Sequence, residues 1–231
     1  MTSLYAVVEG QSEQAFAHQV LATHLGPKAV FLEAALVGTP GRKGGNNWAT
    51  VERDVLNFLK QKRRPDGPVY VTTMFDYYGM RLEWPGRERS RSQALANRAD
   101  AVETAMAERI GGLAGPNFDT TRFIPYVQMH ELETLILADP GKLCDEFPDR
   151  TSDVETLAST VRGIDPEEIN DDPHSAPSKR IIQYVPECQG RKASASVSVL
   201  KLIGLLTIRE KCQHFNQWLE RLEGLGTNHC D

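Results

Sequence analysis

Residues 68–79 read PVYVTTMFDYYG. From Pro68 to Phe75 the run is apolar, aromatic or β-branched, and Asp76 stops it. A short run without polar alternation suits a strand buried on both faces. Tyr77-Tyr78-Gly79 turns the chain. A carboxylate directly after such a strand is costly to bury alone. Asp76 therefore caps the next turn at an exposed edge, or it faces a cation.

Working outward from this strand, the chain repeats the pattern. Leu4–Val8 (LYAVV) is a strand that ends at Glu9-Gly10. Ser12 is placed as the N-cap of a helix carrying Phe16, Val20, Leu21 and Leu25, which Gly26-Pro27 ends. Ala29–Val37 is a second strand and 38–47 a glycine-rich loop. Trp48–Lys62 is a helix with Val51, Val55, Leu56 and Leu59 on one face. Ser92–Ile110 is another helix, Arg122–Met129 a fourth strand, and His130–Leu137 the start of a further helix. Strands alternating with helices imply parallel strands joined by right-handed crossovers. The expected fold class is α/β: a Rossmann-like parallel four-stranded sheet flanked by helices, with a C-terminal helical extension. The division expected is an α/β core over 1–140 and a helical extension over 141–231 packed on it. In such sheets ligands bind beyond the carboxyl ends of the strands, where Glu9, Asp76 and the pair Glu131/Glu133 fall.

Composition narrows the function classes. The 231 residues are 40% hydrophobic and 25% charged, ordinary globular usage that supplies a core. A net charge of -5 excludes a generally basic nucleic-acid coat but leaves room for a local basic patch. There is no run of 18 apolar residues, so no membrane span is expected. MTSLYAVVEG lacks the features of a signal peptide, and a cytoplasmic location is expected. Cys144, Cys188, Cys212 and Cys230 lie far apart, which disfavours a disulfide framework or a cysteine zinc site. Residues 145–172 hold ten acids and two arginines.

Four constellations could carry chemistry. Glu9 and Glu13 follow the first strand one helical turn apart, and paired carboxylates are hard ligands for Mg2+ or Mn2+. The bland alternative is a solvated turn acid and a first-turn charge. Asp76 is the second. His130-Glu131-Leu132-Glu133 is the third; it lacks the second histidine of a zinc-protease helix, and one acid could instead cap the helix. Ser178-Lys179-Arg180 is the fourth, a compact phosphate binder or a helix start with Ser178 as N-cap. Arg42-Lys43 and Gly190-Arg191-Lys192 could add to it. Arg87, Arg89, Arg91 and Arg98 could follow a nucleic-acid backbone or simply be solvated. Trp48, Tyr77, Tyr78 and Trp84 could stack bases or pack in the core. Cys212, His214 and Trp218 are read as packing residues. G-x-S-x-G, the Walker A loop and G-x-G-x-x-G are all absent, which disfavours a serine hydrolase, an ATPase and a dinucleotide enzyme.

Taken in order, VVEGQSE (7–13), FDYYG (75–79), RFIPYVQMHELE (122–133), PEEIND (166–171), APSKRI (176–181) and CQHFNQWL (212–219) resemble a bacterial family of unknown function in the TOPRIM clan. The clan also holds topoisomerases, bacterial primases and the OLD-family nucleases. The resemblance implies that Glu9 and Asp76 are metal-site acids and that Lys179 is the basic residue beside the scissile phosphate. It implies an ATPase partner encoded nearby, including in phage defence. The D-x-D usual at the third strand is here Asp76-Tyr77-Tyr78, so Glu131 or Glu133 replaces the second aspartate, or one metal is held in place of two.

The expected function is a Mg2+- or Mn2+-dependent nuclease hydrolysing phosphodiester bonds of DNA or RNA. Glu9, Asp76 and Lys179 are its catalytic residues, and Glu9, Asp76, Glu131 and Glu133 its metal ligands. Ser178, Lys179 and Arg180 are its phosphate binders, with Glu13 and His130 as secondary candidates. The alternatives are a non-catalytic partner module and nucleotidyl or phosphoryl transfer.

Overall fold

Strand β1 (Thr2–Val8) serves two cores in a computed structural model that describes residues 1–39, 42–61, 69–169, 176–190 and 192–226. Leu4, Ala6 and Val8 enter one hydrophobic core, and Tyr5 and Val7 enter another. The two-residue side-chain period of a strand produces this split. The helix that follows runs Gln11–Phe16, passes through a π turn at Ala17–Leu21 and continues over Ala22–Leu25. Its N-cap is Gly10, not Ser12. The ladder already starts with Gln14 N–H donating to Gly10 O at 3.1 Å, which leaves Ser12 inside the first turn.

Strand β2 spans Val30–Leu36. The glycine-rich stretch expected as a loop contains a small antiparallel ribbon, β3 (Gly38–Thr39) with β4 (Arg42–Lys43). The helix Trp48–Leu59 is capped by Asn47, whose side chain accepts Thr50 N–H. Strand β5 is Val69–Asp76. The helix expected over 92–110 starts later, at Arg98, and runs to Ala114. Before it lie only single turns, Arg87–Ser90 and Leu95–Asn97. The Arg98 guanidinium takes the carbonyls of Gln93 and Arg91, and so holds that segment as a folded loop. The fourth strand is also split, into β6 (Phe123–Ile124) and β7 (Val127–Gln128). Pro125 between them has no N–H to give. Side chains of β5 bridge the break: Thr72 Oγ1 donates to Ile124 O at 2.6 Å, and Thr73 Oγ1 accepts Tyr126 N–H at 2.9 Å.

The sheet order is β2-β1-β5-β6, with β7 also pairing β5, and every pairing is parallel. The fold is α/β, a parallel sheet flanked by helices. The first helix covers one face; the Trp48 and Arg98 helices cover the other. From β1 the chain moves to β2 on one side and then to β5 on the other. The switch point, where such sheets bind ligands, therefore lies between the ends of β1 and β5.

After the 3-10 helix Leu132–Ala138, the described chain is helical: Thr151–Val161, Pro177–Tyr184, Lys192–Lys211 and Gln213–Gly224 are the main segments. Gly204, at φ 78°, breaks the third of these. Val199, Leu200, Phe215, Trp218, Leu219 and Leu222 share the core of Leu4, Ala6, Val8 and Met74. Trp218 Nε1 donates to Thr72 Oγ1 at 2.9 Å, and Thr2 Oγ1 to Leu225 O at 2.9 Å. The Pro177 helix is entered from Ala176, with Pro177 at its first position, so Ser178 is not its N-cap. Trp48, Trp84 and Tyr77 are core residues, not base-stacking surfaces. No helix among the described residues is long and apolar enough to cross a membrane.

Candidate functional site

Parallel register brings the strand ends to one edge. Val8 is level with Met74, and Asp76 with Gln128. Glu9 and Asp76 thus follow adjacent strands, and Asp76 N–H donates to Glu9 Oε2 at 3.3 Å. Tyr77 N–H donates to Gln128 O and Tyr78 N–H to His130 O, which lays the 129–131 segment alongside. The Met129–His130 peptide is cis.

Glu13 is buried and folds back toward the strand tip. A Cβ at Gly10 would lie 2.9 Å from Glu13 Oε2, so a larger residue there would displace that carboxylate. Gly79 lies alongside: a Cβ there would stand 3.3 Å from Asn46 Nδ2 and 3.4 Å from Glu9 Oε1.

Glu131 and Glu133 arrive with the 3-10 helix. Glu131 is its N-cap, in a capping box with Thr134, and its Oε2 also accepts Ser178 N–H at 2.9 Å. Glu133 is buried, with Ser196 Oγ 3.4 Å from its Oε1. His130 is fully buried, and its N–H donates to Thr134 Oγ1 at 3.0 Å.

Asp76 feels all of this charge. Its Oδ1 is buried and accepts no hydrogen bond among the described residues. Burial first, then Glu13, Glu9, Glu133 and Glu131 in that order, push its carboxyl well above the usual carboxylate range. Burial also raises Glu9, against the opposing hydrogen bond from Asp76 N–H. A buried carboxylate oxygen without a donor, surrounded by carboxylates, is unfavourable unless protons or a cation neutralise it. The donors are all hard oxygens, the type that Mg2+ or Mn2+ prefers, although among the described residues only Asp100, Glu103 and His214 bring three ligand atoms within 4.8 Å of one another.

The basic residues expected beside these acids are not joined to them. Lys179 is exposed, and no hydrogen bond or ion pair links it to the acids among the described residues. Arg180 Nε is buried without a hydrogen-bond partner among the described residues. Ser178 is buried, and its backbone N–H is the group that reaches Glu131. Arg191 and the side chains of Arg42, Lys43 and Lys192 lie outside the described residues, as does Cys230.

A second polar cluster escaped the sequence reading. His214 Nε2 lies 2.9 Å from Glu103 Oε1 and 4.0 Å from Asp100 Oδ1, and Nδ1 lies 3.9 Å from Glu167 Oε1. Burial lowers the imidazole's pKa, but Glu103, Glu167 and Asp100 outweigh it and the net direction is upward. Ligand atoms of Asp100, Glu103 and His214 lie within 4.8 Å of one another. Glu167 also accepts the N–H groups of His214 and Phe215, at 2.8 and 3.0 Å. It therefore caps the Gln213 helix, whose own N-cap residue, Cys212, offers no side-chain bond. Nothing in the local sequence of 212–219 shows this, because Glu103 and Glu167 are remote in the chain. Burial, then Glu167 and Asp165, push the Cys212 thiol up, so it stays protonated.

No curated protein matches the chain. Two solved structures are similar to it. The C-terminal region of the Xanthomonas campestris pv. campestris OLD protein is 15% identical over 99% of this chain and 98% of that one, with a TM-score of 0.44. The C-terminal region of the Burkholderia pseudomallei OLD protein is 14% identical over 98% and 99%, with a TM-score of 0.46. A family model described as a domain of unknown function, DUF4276, matches residues 8–223, a span that holds all the acids of the site and His214. The chain belongs to the DUF4276 family.

Proposed function

We propose that this chain is a nuclease that hydrolyses phosphodiester bonds of DNA or RNA with Mg2+ or Mn2+ at the sheet edge. The observation that carries the reading is Asp76 Oδ1, buried and without a donor among the described residues, under the charge of four glutamates. Asp76 and Glu9 are the assigned ion ligands, with Glu13 and Glu133 completing the oxygen set. Glu13 stands closer to this role than its place in the sequence suggests, because it weighs most heavily on Asp76. It and Glu133 supply the charge that the missing second aspartate would have carried. Glu131 is engaged by Thr134 and Ser178, and its role is to hold the start of the Pro177 helix against the site. A bound divalent ion supplies Lewis-acid polarisation of a phosphoryl oxygen and acidifies a water. Lys179, one residue beyond Ser178, is assigned the non-bridging oxygens, with Arg180 beside it. His130 holds the 130–134 turn through its bond to Thr134.

The resemblance to TOPRIM proteins extends the proposal to a cytoplasmic protein working beside an ATPase partner in phage defence. Calorimetry with Mn2+ and a nuclease assay on wild type, Glu9→Gln and Asp76→Asn test the enzyme. Wild type should bind Mn2+ and cleave, and each variant should lose at least tenfold in both. Absence of ion binding at millimolar Mn2+ would replace the enzyme with a non-catalytic partner module. Cleavage undiminished in both variants would reject these ligands.

A further inference from the structure

A cavity of about 570 Å3 opens beside the acids. Its wall includes Gly44, Gly45, Asn46, Asn47, Arg53 and Arg81. This wall is pinned to the strand tip that carries Glu9. Gly45 N–H donates to Glu9 O at 3.0 Å, and Asn46 Nδ2 donates to the carbonyl of Gly79, the residue packed against the Glu9 carboxylate. Gly44 and Gly45 have φ of 90° and 107°, which lets the backbone curl past Glu9 without side chains.

The charge of this cavity is opposite to that of its surroundings. The chain carries a net -5, and five carboxylates gather at the adjacent edge. Yet the described lining contains two guanidinium groups and no carboxylate. Arg53 is 48% exposed and forks onto Asp54; Arg81 is 65% exposed and its acid partner, Glu83, stands 3.9 Å away. The Arg81 pair is exposed and weak, whereas Asp54 is largely buried and also accepts Gly38 N–H, so Arg53 lines the cavity while keeping that partner. Asn47 Oδ1 is committed to Thr50, which leaves its Nδ2 as a donor.

We propose that this cavity holds one strand of nucleic acid by its phosphates, with Arg53 and Arg81 as the principal contacts. The inference rests on the nuclease reading and names the path by which the substrate reaches those acids. The volume lies within the range of clefts that take small ligands, about 300–1,000 Å3. A sugar-phosphate strand can enter such a cleft, whereas a duplex, two such strands wound about their paired bases, is too broad to do so. Trp48 and Trp84 are buried beneath the wall and present no stacking platform, so the grip is on the backbone and independent of sequence.

The test is fluorescence anisotropy with labelled oligothymidylate and oligouridylate, in metal-free buffer, over a salt series. Arg53→Ala/Arg81→Ala should bind at least tenfold more weakly than wild type. Its slope of log K against log salt should be shallower by about 1.4, since each phosphate contact on a single strand contributes about 0.7. Arg53→Lys/Arg81→Lys should recover the slope, and Arg89→Ala/Arg91→Ala should behave as wild type. Binding of one oligomer alone, with the same arginine dependence, supports the inference and identifies the sugar. Affinity and slope unchanged in the alanine variant, or no binding of either oligomer by wild type, overturns it. Mn2+ calorimetry on the same proteins separates the two readings. Intact Mn2+ binding with arginine-independent oligomer binding removes only the cavity proposal. Arginine-dependent binding without Mn2+ binding removes only the nuclease.

Discussion

Asp76 places a carboxylate oxygen where nothing among the described residues donates to it, and four glutamates add to the cost. With no cation present, its carboxyl holds a proton more firmly in the folded chain than in the unfolded one. The folded state then keeps a proton that the unfolded state releases. Stability falls as pH rises from the unfolded aspartate value, about 3.9, through the raised folded value. Asp76→Asn should remove this contribution. At neutral pH and without metal it should be more stable than wild type, because the amide carries no charge for burial and the four glutamates to oppose. It should also lose the rise in Tm that Mn2+ gives the wild type. Thermal melts across pH with and without Mn2+ check both; a variant less stable than wild type in metal-free neutral buffer would contradict the account. Asp76 and Glu9 were legible as strand-end acids because each ends an apolar run. The weight of Glu13 was not, because its direction depends on the space that Gly10 leaves for its carboxylate.

The Gln213–Gly224 helix is tied to the Arg98–Ala114 helix and to the turn at Pro166–Glu168 through one imidazole. His214 meets Glu103 and Asp100 on one side and Glu167 on the other, and stacks on Tyr126 with centroids 5.0 Å apart. Its raised pKa means that the protonated form is stabilised by folding. That contribution is fully present below the unfolded histidine value, about 6.5, and is lost as pH rises through the raised folded value. His214→Gln should cost about 1 kcal/mol or more in mildly acid buffer, through loss of the ion pair with Glu103 at 2.9 Å. The gap to wild type should narrow as pH rises. Urea unfolding at a series of pH values measures it, and a gap that widens with pH would contradict the assignment. Cys212, His214 and Trp218 were read as packing residues; Cys212 and Trp218 are buried in the core, whereas His214 joins a cluster of acids. The helix's charged partners and its cap come from elsewhere in the chain, and no local pattern announces them.

The C-terminal helices share one of the two cores of the sheet. Phe215 lies 6.2 Å from Phe16 between ring centroids, Trp218 bonds Thr72, and Leu225 O receives Thr2. Gly226 passes so close to Lys28 O that a Cβ there would stand at 1.9 Å. We propose that residues 1–140 form a core that depends on 141–231 for its fold. Leu4, Ala6, Val8 and Met74 would lose the Phe215–Leu222 side of their surroundings on truncation. A 1–140 fragment should show no cooperative thermal transition and should bind a hydrophobic dye, whereas the full chain should unfold in one transition. A sharp melt of the fragment would show that the core stands alone.

By itself, the sequence determined the alternation of strands and helices and the parallel sheet, together with the acids that sit at strand ends. Those features are written in periodicity and in abrupt changes of polarity, which act over a few residues. The tertiary structure alone decided which charges meet. Register across β1, β5 and β7 sets Glu9, Asp76 and the 131–133 segment side by side, and the reversal of strand order places them at the switch point. It also put Ser178 N–H on Glu131 and drew Arg53 and Arg81 around a cavity next to Glu9. Electrostatic interaction depends on distance in space, and separation along the chain does not report it.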